Sequence, residues 1–379
     1  MNQVELQSTR FRASLIAWYR LNGRRLPWRT TTDPYRILVS EMMLQQTQVV
    51  TVLPYYDRWF ELFPTLESLA HADETDVLRA WQGLGYYSRA RHLHKCARWV
   101  VEHCGGELPR NVNALLKLPG IGRYTAGAVA SFAFNLPAPI LDGNVSRVLA
   151  RLIDLVIPID REPGKSTLWE LAERLVTGPE PGTFNSALME LGALICTSRA
   201  PACESCPVRT HCRAQSPERI PRKSAKAEVV PRQENYRWIR RGDHVLLRKC
   251  AGPRWKGMWT LPLADEVESD EIPVFQMRHS VTRFLIHLQV FSGPAPVVLA
   301  PDNCYHPIKD LAGLPMPTPH RKSLDALLAE GETAKGRRGD PSPALVGRGS
   351  GTADCIREAS GGNGRHREQD RLAAEPTQR

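Results

Sequence analysis

Four groups of residues in this 379-residue chain combine side-chain types and spacings that could do chemistry. Glu41 sits in Ser40-Glu41-Met42-Met43-Leu44-Gln45-Gln46-Thr47-Gln48, a carboxylate within an otherwise apolar helical run. A glutamate on the wet edge of a helix needs no function, whereas a buried one has a raised pKa and can act as a general acid near neutral pH. Gln45, Gln46 and Thr47 follow it as hydrogen-bonding side chains on a loop or helix end. Asp142, in Leu141-Asp142-Gly143-Asn144-Val145-Ser146-Arg147, precedes a second helical run. It reads as an N-cap, and a carboxylate there can also stabilise a cation facing the helix start.

The third group is Leu118-Pro119-Gly120-Ile121-Gly122-Arg123-Tyr124. Gly120 and Gly122 bracket one apolar residue between two helical segments, so the backbone can turn sharply and approach another surface. The first amides of the second helix would point outward, where phosphate oxygens can accept them. This is either an ordinary tight turn or a helix-hairpin-helix that grips a nucleic-acid backbone without reading its sequence. The fourth group is Cys196, Cys203, Cys206 and Cys212, separated by six, two and five residues. Four thiolates can enclose a metal centre; one close pair with two longer arms suits a 4Fe–4S cubane at least as well as zinc, and disulfides are the weaker alternative.

The elements that must hold these groups are helical as far as about Leu194. Apolar residues recur at helical spacing in Phe11–Tyr19, Ile37–Leu44, Val77–Trp81, Ala90–Val101, Ala126–Phe134, Val145–Ile153 and Leu168–Val176, with prolines between segments. Around Ala214–Asn235 the composition turns to Pro, Lys, Arg and Glu without periodicity, which predicts an interdomain linker over 223–234. The β-rich runs His244–Lys249 and Phe284–Phe291 predict a smaller α+β domain over 235–328, and residues 329–379 lack aromatics and read as a disordered tail.

Composition sets the outer bounds. A net charge of +10 suits a polyanionic partner such as nucleic acid. No apolar run reaches 18 residues, and the N-terminus has no basic segment followed by an apolar stretch, so neither a transmembrane helix nor a secretory signal is expected. Nine cysteines, an odd total with one tight cluster, point to a reducing compartment and a metal site. The expected location is therefore the cytoplasm.

Residues 8–328 resemble the adenine DNA glycosylases of the MutY type, within the helix-hairpin-helix, endonuclease III-like base-excision superfamily. The resemblance rests on Leu26-Pro27-Trp28, Glu41 through Thr47, Gly83-Leu84-Gly85-Tyr86-Tyr87, the Gly120/Gly122 hairpin, Leu141 through Val145, Met189-Glu190-Leu191-Gly192-Ala193 and the cysteine spacing. It implies a mainly α, two-lobed core. Residues 27–137 would form a six-helix barrel with the hairpin, residues 1–26 and 138–222 a lobe around a 4Fe–4S cluster on the four cysteines, and 235–328 a Nudix-like domain. It implies removal of adenine mispaired with 8-oxoguanine or guanine in double-stranded DNA, by a bacterial monomer acting on the nucleoid.

By the same resemblance Glu41 protonates adenine at N7, Asp142 shields the sugar cation, and Asn144 and Tyr124 orient Asp142 and the sugar. Trp28, Leu26 and Glu190 line the base pocket, and Gln46 and Tyr86 fill or wedge the opened duplex. Tyr124 stands where bifunctional relatives carry a nucleophilic lysine, which implies a monofunctional enzyme. The sequence departs from the family in Arg278-His279-Ser280-Val281-Thr282-Arg283-Phe284, a loop that often reads Phe-Ser-His; only the hydroxyl of Thr282 is kept. Three rivals remain at this point: a lyase acting on oxidised pyrimidines, a non-catalytic lesion-binding protein, and a nucleotide hydrolase in the C-terminal domain, for which no glutamate-rich Nudix helix is found.

Overall fold

A computed structural model describes residues 3–225 and 228–336, with side chains from Thr9 to Glu330. Eleven helices come first among the described residues. These are α1 (Gln3–Asn22), α2 (Pro34–Leu44), α3 (Val49–Leu62), α4 (Leu66–His71), α5 (Glu74–Ala80), α6 (Ser88–Cys104), α7 (Val112–Leu115), α8 (Arg123–Phe134), α9 (Gly143–Leu152), α10 (Gly164–Leu175) and α11 (Pro181–Leu194). Helix α2 shows why they begin where they do. The Asp33 side chain accepts from the amides of Tyr35 and Arg36, and Pro34 fills the first helical position, where no amide is needed. Its residues from Ile37 through Met43 are all buried, so this helix runs through a core.

Two apolar cores organise the helices. The first takes side chains from α2 through α8, including Trp59, Trp81 and Leu93. The second joins Phe11 and Leu15 of α1 to Val145 and Leu149 of α9, Leu168 of α10, and Phe184 and Leu188 of α11. The N-terminal helix therefore returns to pack with the segment that follows α8, which gives two lobes with a cleft between them.

Helix α3 lies in a stretch that apolar periodicity did not single out, and Pro54 sits inside it. The amide that Pro54 lacks would have bonded the carbonyl of Val50, a residue that is largely exposed and open to water, so the helix tolerates the proline there.

After the cysteine loop come β1 (Val230–Trp238), β2 (Arg240–Arg241), β3 (His244–Lys249), β4 (Trp259–Thr260), β5 (Phe275–Val281), β6 (Phe284–Ser292), β7 (Asn303–Pro307) and α12 (Thr318–Gly336). One sheet has the order β1-β6-β5, with β1 parallel to β6 (Val230 opposite Phe284) and β5 antiparallel to it; a second is built on β3. Strand β1 begins at Val230, inside the stretch expected to be linker. It is an edge strand, where the missing amide of Pro231 is tolerated, and its pairing partner lies about fifty residues away, beyond the reach of local composition. Helix α12 likewise continues to Gly336, past the expected start of the tail; residues 337–379 lie outside the described residues.

The strand-containing region packs against the first lobe. Met258 is fully buried within the first core, and Trp255 packs on it. Arg91 donates to the Lys256 carbonyl, and Tyr87 Oη to that of Met316 at 3.5 Å. No described helix is long and apolar enough to cross a membrane.

Candidate active site

A cleft of about 1210 Å3 is lined by α2, by the first turn of α8 and by the start of α9. Each element delivers one group. Helix α2 carries Glu41, which is 3% exposed. Helix α8 starts at the glycine hairpin and carries Tyr124, whose hydroxyl donates to Glu41 Oε2 at 2.6 Å. Asp142 is the N-cap of α9: its Oδ1 accepts from the Val145 amide at 2.7 Å and its Oδ2 from Asn144 Nδ2 at 3.1 Å.

Burial is the main influence on all three groups. It pushes the Glu41 carboxyl up to about 7, helped by the negative charge of Asp142 and opposed by the Tyr124 hydrogen bond and the Arg29 guanidinium. Burial also holds Tyr124 well above its ordinary value, so it stays a hydrogen-bond donor. Asp142 is raised as well, again through burial. The amides of Val145 and Asn144, the Asn144 side chain and Arg147 all work against that rise and favour its charged form. One carboxyl thus titrates near neutrality, while beside it a half-buried carboxylate is held by donors.

The hairpin depends on Gly120. Its φ is +76°, and an added Cβ would lie 2.3 Å from the Cβ of His92, so a side chain is excluded by both conformation and space. Gly122 has open space around it and caps α8 without a side chain, leaving the first amides of that helix uncovered.

Leu26, Trp28, Gln45, Gln46, Thr47, Gly120, Gly122 and Asn144 all line the cleft with Glu41, Tyr124 and Asp142. Glu190 does not. It is fully buried and accepts from Arg24 Nε at 2.8 Å and Arg24 Nη2 at 2.9 Å, and from Arg29 Nη2 at 2.8 Å. Burial alone would raise its pKa, but the two guanidiniums overcome this and hold it down at about 2. It is therefore an anchor for two arginines that do line the cleft. Tyr86 is half exposed with φ +46°, outside the cleft lining, and Thr282 lies at the β5–β6 turn with φ +55° in the strand-containing region.

Sequence reasoning did not assign roles to Arg24, Arg29 or Arg147. Arg147 Nη2 donates to Asn144 Oδ1 at 2.8 Å and its Nε to the Cys196 carbonyl at 2.8 Å, which fixes which end of the Asn144 amide faces Asp142. The i, i+3 spacing of Asn144 and Arg147 on α9 was the available signal.

The four cysteines occupy the loop after α11, each partly exposed. Burial raises Cys206 and Cys212, and the neighbouring Cys196 and Cys203 push both the same way; Arg151 Nη1 lies 3.2 Å from Cys196 Sγ. Among the described residues no three Cys, His, Asp or Glu side chains converge as a group that could hold a metal ion.

The model of the HhH-GPD superfamily of base excision DNA repair proteins matches residues 39–173. An adenine DNA glycosylase of Buchnera aphidicola (subsp. Baizongia pistaciae) is 36% identical over 258 residues, covering 66% of this chain and 73% of the relative. The chain belongs to the adenine DNA glycosylase family. The adenine DNA glycosylase of Rattus norvegicus is 50% identical over 219 residues, which is 54% of this chain but only 42% of that family member's length. Among solved structures, a thermostable thymine-DNA glycosylase aligns with a TM-score of 0.51 and 33% identity, covering 56% of this chain and 98% of its own.

Proposed function

We propose that the protein is a base-excision DNA glycosylase that removes adenine mispaired with 8-oxoguanine or guanine by hydrolysing its N-glycosidic bond. The observation that carries this reading is the pair formed by Glu41, which accepts from Tyr124, and Asp142, in one cleft beside the glycine hairpin. Adenine stacked in a duplex is out of reach, so it must be flipped into that cleft. Glu41, with its carboxyl near 7, transfers its proton to adenine N7, and the bond between the sugar C1′ and N9 breaks with its electron pair leaving on the base. The sugar cation left behind faces the Asp142 carboxylate, held at the start of α9 by the Val145 amide and Asn144. Water then adds to C1′, and its proton returns to a carboxylate, in the manner of two-carboxylate glycoside hydrolysis. Tyr124 has no amine with which to form a Schiff base, so the reading is monofunctional.

Cys196, Cys203, Cys206 and Cys212 are the residues that would hold a 4Fe–4S cluster. The donor set fits: four thiols on one loop, within electrostatic reach of each other, with the Arg151 guanidinium beside one sulfur to offset thiolate charge. When bound, the cluster would cross-link the loop and take no part in bond breaking. The exposed Arg199, Arg209 and Arg213 on that loop, with the uncovered amides of α8, supply contacts to phosphates of double-stranded DNA. The strand-containing region we read as Nudix-like, with Thr282 facing the base opposite the adenine; Gln46 and Tyr86 fill the opened duplex. The enzyme would act as a monomer in the bacterial cytoplasm, on the nucleoid.

The test is single-turnover adenine release from duplexes with adenine opposite 8-oxoguanine, guanine or cytosine. Release from the first two and not the third, lost in Asp142→Asn, is expected. Release of an oxidised pyrimidine with a borohydride-trapped covalent adduct would instead establish the lyase reading.

A further inference from the structure

Arg89, at the start of α6, is a buried cation that no described carboxylate pairs with. Its Nη1 donates to the carbonyls of Met42 (2.8 Å), Met43 (2.8 Å) and Gln45 (2.5 Å). Its Nη2 donates to Thr47 Oγ1 (3.3 Å) and to the carbonyls of Leu84 (3.0 Å) and Gly85 (3.1 Å). The guanidinium also lies over the rings of Trp81 and Tyr86, at 5.3 and 5.6 Å from their centroids. Among the buried polar atoms its Nε alone lacks a partner on this residue. Burial draws its pKa down to about 10, so holding this charge in the interior is unfavourable by itself.

Two features make this arrangement more than a structural cross-link. Met42, Met43 and Gln45 surround the end of α2, one to four residues beyond Glu41, where helix carbonyls have no partner within the helix and a cation is favourable. Leu84 and Gly85 directly precede Tyr86. Both exposed residues that follow these anchored carbonyls, Gln46 (φ +57°) and Tyr86 (φ +46°), take the left-handed conformation that non-glycine residues seldom adopt. Such conformations persist only where surroundings over-determine them, and here one guanidinium does so for two loops.

We infer that Arg89 is a positioning residue that holds the Gln46 and Tyr86 loops in fixed register with the helix bearing Glu41, so that opening of the duplex and delivery of the acid occur in one geometry. This rests on the glycosylase reading above. Lysine keeps the charge but is a single point donor and cannot fork between two loops.

The experiment measures single-turnover adenine release by full-length wild type, Arg89→Lys and Thr47→Val, each with its thermal midpoint. Two duplexes are compared: adenine opposite 8-oxoguanine, and adenine opposite a tetrahydrofuran abasic analogue, where no base pair has to be broken. A loop displaced by about an ångström is expected to reduce the rate about a hundredfold on the paired duplex. The deficit should shrink to less than about tenfold on the abasic duplex, because unpairing no longer depends on the loops. Thr47→Val, which leaves the guanidinium in place and removes one acceptor, should lose rate in the same substrate-dependent direction, so the proposal stays testable if Arg89→Lys does not fold. Equal losses on both duplexes, or none, in whichever variant folds would overturn it. If wild type releases no adenine from either duplex, the glycosylase reading fails first and the role of Arg89 falls with it.

Discussion

At the scale of single residues, Glu41 is placed where it weakens the fold. Its carboxyl is nearly inaccessible and titrates near 7, against an ordinary value of 4.5 when the chain is unfolded. A group whose folded pKa is raised contributes stability that is fully present below the unfolded value and is lost as pH rises through the folded one. Between pH 4.5 and 7 the unfolded chain releases this proton while the folded chain keeps it, so stability falls across that window. A shift of this size corresponds to about 3 kcal/mol, in order of magnitude. Glu41→Gln keeps the shape and removes the titration. It is expected to raise the denaturation midpoint at pH 8 and to have little effect at pH 5. Chemical denaturation at the two pH values checks this, and an equal effect at both would show that the carboxyl is not desolvated in solution. Asp142 is raised by the same burial, but its donors oppose the rise and favour its charged form, which sets its surroundings apart from those of Glu41.

At the scale of elements, three short structural devices bring the site together: the capped start of α2, the glycine turn into α8 and the Asp142 cap of α9. The turn is the most sensitive to change. Gly120→Ala would force a left-handed φ on alanine and drive its Cβ against His92. It should destabilise the protein by about 1–3 kcal/mol and weaken binding to undamaged duplex, measurable by thermal melting and by anisotropy at fixed salt. An unchanged affinity would remove the hairpin from the DNA contact surface.

The same devices explain what could be read in advance. Glu41, Asp142, Tyr124 and the two hairpin glycines belong to contiguous motifs whose local pattern carries their geometry, so their convergence was legible. The Glu190 anchor was not, because Arg24 and Arg29 reach it across more than 160 residues, and its motif gave no sign that it faces arginines instead of the cleft. Arg89 escaped for a related reason: apart from the Thr47 hydroxyl its acceptors are backbone carbonyls, which have no sequence signature. Strand β1 and helix α3 show the limits of local patterns, the first through a distant partner and the second through a proline that usually marks an end.

At the scale of the whole molecule, the helical lobes and the strand-containing region share a core. Met258 comes from the loop before β4 yet is fully buried among residues of α2–α8. Met258→Ala should therefore destabilise the helical part by about 2–5 kcal/mol, detected as an earlier loss of helical circular dichroism in denaturant. A change confined to the strand-containing region would show that the two units are independent. This shared core also gives that region a fixed stance beside the Tyr86 loop, through Tyr87 and Met316.

The central claim is that a protonated Glu41 drives adenine release. The most direct measurement is the single-turnover rate of adenine release from an adenine:8-oxoguanine duplex, followed from pH 5 to 9 for wild type and Glu41→Gln at saturating enzyme. The account predicts a wild-type rate that declines as pH rises through about 7. It also predicts a Glu41→Gln rate lower by about 10²–10⁴-fold, without that limb, at unchanged duplex affinity. A Glu41→Gln enzyme that releases adenine as fast as wild type, or with the same pH limb, would contradict it.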